Sequence, residues 1–206
     1  MTAQEQRHAL VDRLVERERL DEQTEAALRA VPRHAFVPDS RAEDAYRDRP
    51  LPIGEGQTIS APHMVAIMTD LLSLSPGERV LEIGTGCGYH AAVTAEVVGP
   101  EHVYSVEYHD SLAARARSTL EAVGYGEVSV RCGDGKDGWK ANAPFEAVYL
   151  TCAAGDFPTP LVEQLREGGM ILGPLGGDTQ VLTEGRKTDG SLQRETHGQV
   201  RFVPLK

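Results

Sequence analysis

The segment GEGQTISAPHM, from Gly54 to Met64, contains the first residues whose types and spacing could do chemistry. Ser60 and His63 stand three positions apart in it. A serine near a histidine suggests nucleophilic catalysis, in which the histidine activates the hydroxyl and an acidic side chain orients the histidine. The sequence places no Asp or Glu to orient His63, which falls in the first turn of a predicted helix. We therefore expect His63 to have no chemical role and keep Ser60 as a candidate.

The segment LEIGTGCGY is a second candidate, because Gly84, Gly86 and Gly88 alternate with other residues in it. An apolar run precedes it and a helical pattern follows, so the glycines stand at a strand-to-helix turn where a ligand can approach the main chain. The dinucleotide fingerprint G-x-G-x-x-G would need a glycine at position 89, which is Tyr89. The G-x-G-x-G spacing is the form associated with S-adenosylmethionine.

Three acidic residues lie at the ends of successive strand patterns. Glu107 follows the glycine turn by about twenty residues, where a carboxylate can accept hydrogen bonds from both ribose hydroxyls. Asp134 is placed to accept from the amine of an adenine, and Glu82 lies near the expected position of a sulfonium and amino acid moiety. Alternatively, the glycines only shape a turn and the acidic residues are solvated strand ends.

Alternating strand and helix patterns must position these residues. Strand patterns at 79–83 and 102–107 alternate with helical patterns at 89–98 and 111–124, and VSVRCGD, FEAVYLT and GMILGPLG are further strands. The alternation predicts an α/β fold with a doubly wound, mostly parallel sheet, whose strand carboxyl ends bind ligands. In the tail, TQVLTEGR and GQVRFVPLK, separated by KTDG, predict an antiparallel hairpin.

The part of the chain before the glycine turn has a different pattern. Helical spacing and capping residues predict three helices, over residues 3–19, from Asp21 to about Ala30, and from Pro62 to about Leu74. Residues 46–60 have two glycines, two prolines and little periodicity. We expect them to form an ordered loop.

Several segments carry a resemblance to a known family. They are VPRHAFVP, YRDRPLPIGEGQTISAPHM, VLEIGTGCGYHAAV, GDGKDGW, APFEAVYLTCAA, LVEQLREGGMILGPLG and the closing FVPL. In this order the chain resembles the protein-L-isoaspartate (D-aspartate) O-methyltransferases. The resemblance implies a class I S-adenosylmethionine-dependent methyltransferase fold with an antiparallel C-terminal strand and an N-terminal helical appendage. We expect one structural unit, with helices and a substrate loop in residues 1–60 and the methyltransferase domain in 61–206.

The resemblance also implies an activity and its site residues. The family transfers a methyl group from S-adenosylmethionine to the α-carboxylate of L-isoaspartyl residues, and also to D-aspartyl residues, in damaged proteins and peptides, leaving S-adenosyl-L-homocysteine. Ser60 matches the active-site serine. The cofactor-binding residues implied are Glu82, Gly84, Thr85, Gly86, Gly88, Glu107, Asp134 and Gly135. The expected substrate-binding residues are Tyr46, Asp48, Ile53, Gln57, Thr58, Ile59 and Thr151.

The chemistry of this reaction defines the role of Ser60. A carboxyl group, whose ordinary pKa is about 4, is already an ionised nucleophile at neutral pH, so the site needs to orient the reactants rather than to supply a base. Ser60 would donate a hydrogen bond to the substrate carboxylate. Because Ala61 and Pro62 follow it, Ser60 could also cap the next helix, and both roles can hold. Tyr46 and Asp48 could either fix the substrate loop or contact the peptide.

Composition and charge narrow the class of protein. The net charge of −10 opposes nonspecific nucleic-acid binding and suits a salt-rich cytoplasm. No apolar run reaches the roughly 20 residues of a spanning helix, and the N-terminus lacks a secretory signal. Three widely spaced cysteines argue against a disulfide framework or a zinc site. We expect a cytoplasmic monomer that binds no metal, membrane or nucleic acid.

Two alternative functions remain open. The segment 152–157 departs from the family pattern and follows a strand end, which leaves methylation of another carboxylate as one alternative. The second alternative is an adaptor that binds the cofactor without turnover.

Overall fold

The computed structural model describes all residues from Met1 to Lys206 and contains nine strands and six α-helices. The helices are α1 (Ala3–Glu18), α2 (Glu22–Ala30), α3 (Pro62–Leu72), α4 (Tyr89–Val98), α5 (Asp110–Ala122) and α6 (Thr159–Gln164). The strands are β1 (Leu51–Gly54), β2 (Gln57–Ile59), β3 (Val80–Ile83), β4 (Val103–Glu107), β5 (Ser129–Cys132), β6 (Phe145–Leu150), β7 (Leu165–Gly176), β8 (Gln180–Thr188) and β9 (Ser191–Val200). None of the helices has the length and apolar character that crossing a bilayer requires.

The central sheet has seven strands in the order β5-β4-β3-β6-β7-β8-β9. Its first five strands are mutually parallel, β8 pairs antiparallel with β7, and β9 pairs antiparallel with β8. The predicted α/β fold with a mostly parallel sheet is therefore confirmed, with two antiparallel pairings at its end. Strand β3 is buried along its whole length, as expected for a strand covered on both faces.

Two apolar clusters fill the faces of the sheet. Val80 belongs to a cluster of 38 buried residues and its neighbour Leu81 to a cluster of 12, because successive side chains of a strand point to opposite faces. Leu10, Leu14 and Leu28 of the N-terminal helices belong to the larger cluster. The helical appendage thus shares the core of the sheet, while the division of the chain at residue 60 stays a prediction.

The segment from 46 to 60, expected to be a loop, contains a β-hairpin. Leu51 pairs with Ile59, and the connection passes through Glu55 and Gly56, whose φ angles are 52° and 70°. Two consecutive positive φ angles produce the backbone twist that tight hairpins need. The sequence predicted an ordered loop without strands, which was wrong because a four-residue strand is too short to show a clear periodicity.

The turn of the C-terminal hairpin falls within the predicted KTDG, but the second strand lies earlier in the chain than expected. The turn is at Asp189 and Gly190, and β9 follows directly, so the second strand covers residues 191–200 rather than 198–206. The last six residues leave the sheet edge. The main chain of Ala153, just beyond β6, donates to Val203 O at 2.8 Å and accepts from Leu205 N at 2.8 Å. The sequence pattern predicted FVPL in a strand, whereas it closes over the carboxyl end of β6.

Candidate active site

The glycine turn lies where the strand order of the sheet reverses. Strand β3 pairs with β4 on one side and with β6 on the other, and ligands bind at such switch points in open α/β sheets. Gly84 follows β3 with a φ of 97°, and a Cβ there would collide with Thr151 Oγ1, which follows β6. Thr151 Oγ1 donates to Gly84 O at 2.5 Å. The two strand ends are therefore joined directly beneath the site.

A cleft opens over this turn, and Glu107 forms one of its walls. The Glu107 side chain is almost fully buried, and its two oxygens accept from Gly86 N at 2.8 Å and His109 N at 3.0 Å. Each carboxylate oxygen keeps a free lone pair for a ligand hydroxyl. The predicted site residues that line this cleft are Gln57, Thr58, Gly84, Gly86, Glu107, Gly135 and Thr151.

A groove on the other side of Thr151 has Ser60 in its wall. Thr58, Ser60 and His63 face residues Gln199 to Val203 across it. A smaller cavity, which we call the junction cavity, lies beneath Ser60 and reaches the glycine turn; its predicted site residues are Thr58, Ile59, Ser60, Glu82, Gly84, Thr85, Gly86 and Thr151. Ser60 therefore lies between the groove and the cofactor side.

Arg33 holds the backbone of Ser60, and sequence reasoning did not single it out. Its side chain is fully buried, with Nη2 donating to Ser60 O at 2.8 Å and Nε to Ala45 O at 2.9 Å. The guanidinium stacks on the Tyr89 ring at 4.8 Å, and burial lowers the pKa of Arg33. An arginine within the apolar segment VPRHAFVP was the signal available in the sequence.

The helix after Ser60 begins without a side-chain cap. The N-cap residue of α3 is Ala61, and Pro62 occupies the first helical position. The capping alternative for Ser60 is therefore wrong, because its hydroxyl makes no capping hydrogen bond to α3.

His63 does have a carboxylate that orients it, contrary to the prediction from sequence. Asp48 Oδ1 accepts from His63 N and pairs with His63 Nδ1, both at 2.9 Å, and Arg17 Nη2 donates to Asp48 Oδ2 at 2.9 Å. Burial would raise the pKa of Asp48, but the hydrogen bonds from His63 and Arg17 outweigh it and lower the pKa. These contacts connect the segment before β1 to α1 and α3, which favours the loop-fixing alternative for Asp48.

Five predicted site residues lie outside the walls of these three openings. Tyr46 is buried with its hydroxyl 2.7 Å from His34 Nδ1, and Asp48 makes the contacts above. Ile53 is buried over Gly86. Of the other two, Gly88 shapes the backbone and Asp134 remains half-exposed. Gly88 has a φ of 91° and packs on Leu120 of α5; Asp134 Oδ1 accepts from Lys136 N at 2.9 Å.

Glu82 belongs to a buried polar network below the glycine turn. Its carboxyl group accepts from Ser105 Oγ and from Tyr149 Oη, the latter at 3.0 Å, and Thr85 Oγ1 lies 2.5 Å from Ser105 Oγ. Burial raises the pKa of Glu82 to about 8. Its carboxyl group is therefore largely neutral at pH 7.

The two cysteines near the turn have no nucleophilic character. Burial raises the pKa of Cys87 to about 11 and that of Cys152 to about 12. Thiols with such pKa values stay protonated at neutral pH and behave as small apolar groups.

The cleft fits the cofactor that the sequence implies. Gly84 lines the cleft, and the Glu107 carboxylate is fixed by two amides with acceptor capacity to spare. Gly135 also lines the cleft, and it has to be glycine because a Cβ there would lie 2.5 Å from Ile83 Cγ2. A ribose suits these groups, whereas a pyrophosphate beside the Glu107 carboxylate would not.

Comparisons with known proteins agree on one family. The family model for protein-L-isoaspartate(D-aspartate) O-methyltransferase matches residues 5–206. Two Archaeoglobus fulgidus proteins named protein-L-isoaspartate O-methyltransferase are 51% and 52% identical to this chain, over 100% of it and 95% of each relative. A Methanothermobacter thermautotrophicus protein of the same name is 48% identical over 98% of this chain and 95% of its own.

Solved structures show the same architecture. One protein-L-isoaspartate O-methyltransferase superposes with a TM-score of 0.90 at 29% identity, over 97% of this chain and 66% of that one. A Plasmodium falciparum structure, described as a beta-aspartate methyltransferase in complex with S-adenosyl-L-homocysteine, superposes with a TM-score of 0.85 at 25% identity, over 97% and 98% of the two chains. The likeness extends over nearly the whole of this chain, including its N-terminal helices.

Proposed function

The chain belongs to the protein-L-isoaspartate (D-aspartate) O-methyltransferase family, and from this premise we propose which of its residues carry out the reaction. The protein is a repair methyltransferase that methylates isoaspartyl residues of damaged proteins and peptides with S-adenosylmethionine as the methyl donor. The finer proposal is that the α-carboxylate of the isoaspartyl residue is the acceptor and that Ser60 orients it. D-aspartyl residues are a further proposed substrate.

The position of Ser60 supports this role most directly. It lines both the open groove and the junction cavity that continues to the glycine turn. A carboxylate that enters from the groove therefore reaches the Ser60 hydroxyl just before it reaches the cofactor side. Thr151 lines the groove, the cleft and the junction cavity, so it lies where the three openings adjoin.

The Ser60 hydroxyl acts as a hydrogen-bond donor in this proposal. S-adenosylmethionine, when bound, supplies an electrophilic methyl group and leaves as S-adenosyl-L-homocysteine. Ser60 holds one carboxylate oxygen so that the other faces the methyl group. Since the carboxylate is already ionised, no residue has to remove a proton, and the benefit comes from orientation and from excluding water.

The residues proposed for cofactor binding divide by location. Glu107 accepts from the ribose hydroxyls, and the main chain at Gly84, Thr85 and Gly86 approaches the cofactor closely. Gly135, with Asp134 beside it, lies toward the adenine. Glu82 and Gly88 act from below, because Glu82 supports the turn through Ser105 and Gly88 lets α5 pack closely. Tyr46, Asp48 and Ile53 contribute by fixing the segment that carries Ser60.

The groove beside Ser60 accommodates an extended peptide. Thr58 is exposed on β2 and belongs to the wall of the groove that faces residues Gln199 to Val203. Such a groove can bind a peptide through main-chain hydrogen bonds with little demand on the neighbouring side chains, as in β-strand addition. We propose that Gln57, Thr58 and Ile59 bind the substrate backbone in this way, which suits damage that arises in many sequence contexts.

The remaining proposals concern the partners, the oligomeric state and the cellular location of the enzyme. The net charge of −10 supports the absence of nucleic-acid binding, since phosphate contacts need a surplus of cations. A monomer in the cytoplasm is proposed on the sequence arguments given above.

A labelling assay tests the function. The protein is incubated with S-adenosylmethionine carrying a labelled methyl group and with matched peptides that contain isoaspartate or normal aspartate. We expect base-labile label in the isoaspartyl peptide alone. Label in both peptides would indicate a methyltransferase for other carboxylates, and cofactor binding without any label would indicate an adaptor.

Replacing Ser60 tests the residue assignment. Ser60→Ala is expected to lower turnover roughly tenfold to a hundredfold, because an oriented donor to a reacting oxygen is lost, while the affinity for S-adenosyl-L-homocysteine stays within about twofold. Initial rates and calorimetric titration measure the two quantities. Ser191→Ala, on the exposed start of β9, is the control and should change neither. Unchanged turnover in Ser60→Ala would refute the orienting role.

A further inference from the structure

His90 is a buried, polar side chain that the roles proposed above leave unused. It is the second residue of α4, with 6% of its surface exposed, and it lines the junction cavity together with Ser60 and Glu82. Its ring nitrogen Nδ1 has no hydrogen-bond partner within the chain. A buried polar atom without a partner is destabilising, so an occupant that pairs with it is favoured.

The contacts of the other ring nitrogen determine which kind of partner Nδ1 needs. Thr69 Oγ1 donates its only hydrogen to Val65 O at 2.8 Å, so it can only accept from His90 Nε2, which lies 3.2 Å away. Nε2 therefore carries the ring hydrogen, and Nδ1 of the neutral ring is an acceptor. Burial lowers the pKa of His90 to about 3, which keeps the ring neutral at physiological pH.

Glu82 lines the junction cavity as well. Glu82 is fully buried there, and Tyr149, whose hydroxyl donates to Glu82, lies with its ring 4.6 Å from the His90 ring. The cavity measures about 30 Å³, which is enough to admit a group at least the size of a water molecule. A small group with N–H donors therefore fits the unpartnered acceptor at His90 Nδ1, whereas a carboxylate would bring only further lone pairs to that nitrogen.

We propose that His90 Nδ1 accepts a hydrogen bond from the α-ammonium group of the methionine moiety of S-adenosylmethionine. The inference rests on the proposed function, since it concerns the same cofactor. The sulfonium carries no hydrogen and cannot satisfy Nδ1, whereas the ammonium group carries three donors and matches the cavity in size. His90 is thus a cofactor-binding residue that selects for the amino acid part of the ligand.

Two ligands and two variants test the assignment by calorimetric titration. The ligands are S-adenosyl-L-homocysteine and its deaminated analogue, which keeps the carboxylate but lacks the α-amino group. His90→Gln keeps a polar group near Nε2 for Thr69 but loses the acceptor at Nδ1, whereas His90→Asn keeps an acceptor close to Nδ1. We expect His90→Gln to lose about tenfold in affinity for S-adenosyl-L-homocysteine and nothing for the analogue, and His90→Asn to lose less.

The outcomes separate the inference from the function on which it rests. Equal losses for both ligands, or no loss for either, would overturn the ammonium assignment and indicate that Nδ1 pairs with a buried water only. Failure of the wild-type protein to bind S-adenosyl-L-homocysteine would instead overturn the proposed cofactor site. Should either variant fold poorly, the wild-type protein suffices: the ¹⁵N resonance of His90 Nδ1 should shift on adding S-adenosyl-L-homocysteine and stay in place with the analogue. A shift of the same size with both ligands would contradict the proposal.

Discussion

The carboxyl groups of Glu82 and Glu107 lie at the ends of neighbouring strands, yet their surroundings suit them to different tasks. Glu107 accepts from two main-chain amides and faces the cleft. Glu82 is fully buried among hydroxyl groups, and burial raises its pKa to about 8. Glu107 is fixed as an acceptor for a ligand, whereas the largely neutral Glu82 supports the floor of the site by accepting from Ser105 and Tyr149.

The raised pKa of Glu82 predicts a pH dependence of stability. Between its unfolded value of 4.5 and its folded value of about 8, the folded state binds a proton that the unfolded state has lost. The contribution of Glu82 to the free energy of unfolding is therefore fully present below pH 4.5. It falls as pH rises toward 8, by up to about 1.4 kcal/mol per pH unit. His90, whose pKa falls from 6.5 to about 3, acts in the opposite direction only below pH 6.5.

Between pH 6.5 and 8, Glu82 is consequently the one of these two groups whose titration changes the free energy of unfolding. Urea unfolding of the wild-type protein should show a loss of about 2 kcal/mol across this window relative to Glu82→Gln, which cannot ionise but keeps the size of the side chain. The same variant also serves as the control for every other titrating group. Parallel pH profiles of the two proteins would show that Glu82 titrates normally in the folded state.

The elements that carry Ser60 are short and depend on side chains from elsewhere for their position. The hairpin of β1 and β2 lies before α3, and Arg33, from the turn after α2, binds the carbonyl groups of both Ala45 and Ser60. Asp48 ties the same region to α1 through Arg17 and to α3 through His63. Two side chains from the N-terminal part of the chain, Arg17 and Arg33, therefore hold the backbone around Ser60, even though neither lines the openings.

Arg33→Lys tests this positioning role. A lysine can neither reach both carbonyl groups with a planar fork nor stack on Tyr89 in the same way. We expect turnover to fall about tenfold through displacement of Ser60, with the affinity for S-adenosyl-L-homocysteine nearly unchanged. A purely structural defect would lower both quantities together. Arg49→Lys, which exchanges an exposed partner of Asp44 in the same region, should leave both at the wild-type level.

At the scale of the whole molecule, the surplus of acidic residues is the dominant electrostatic feature. The chain has 31 Asp and Glu against 21 Lys and Arg. Self-repulsion of such a surface opposes the compact state, and salt screens charges that are separated by more than the Debye length of about 3 Å at 1 M. The protein should therefore be more stable in molar salt than in dilute buffer.

Thermal unfolding in about 20 mM and about 1 M KCl measures this effect. At pH 7 the midpoint should rise by several degrees in the higher salt. Near the sequence isoelectric point of about 5.2 the net charge vanishes, so the rise should largely disappear. A midpoint that is the same in both salt concentrations at pH 7 would remove the argument for a salt-rich host.

The local patterns of the chain were sufficient for the fold and the cofactor. The strand and helix alternation from residue 79 onward and the spacing of Gly84, Gly86 and Gly88 depend on neighbours in sequence, and both predictions are confirmed. Short elements were harder to predict from the sequence. The β1–β2 hairpin and the true bounds of β9 were missed because a few residues per strand do not establish a period.

The sequence by itself determined the family, the parallel sheet and the types of residue at the carboxyl ends of its strands. Only the tertiary structure decided which side chains meet. Arg33 and Ser60 are 27 positions apart, His63 and Asp48 are 15 apart, and His90 and Thr69 are 21 apart. Hydrogen bonding, burial and the resulting pKa values depend on distances in space, and no local pattern encodes those distances.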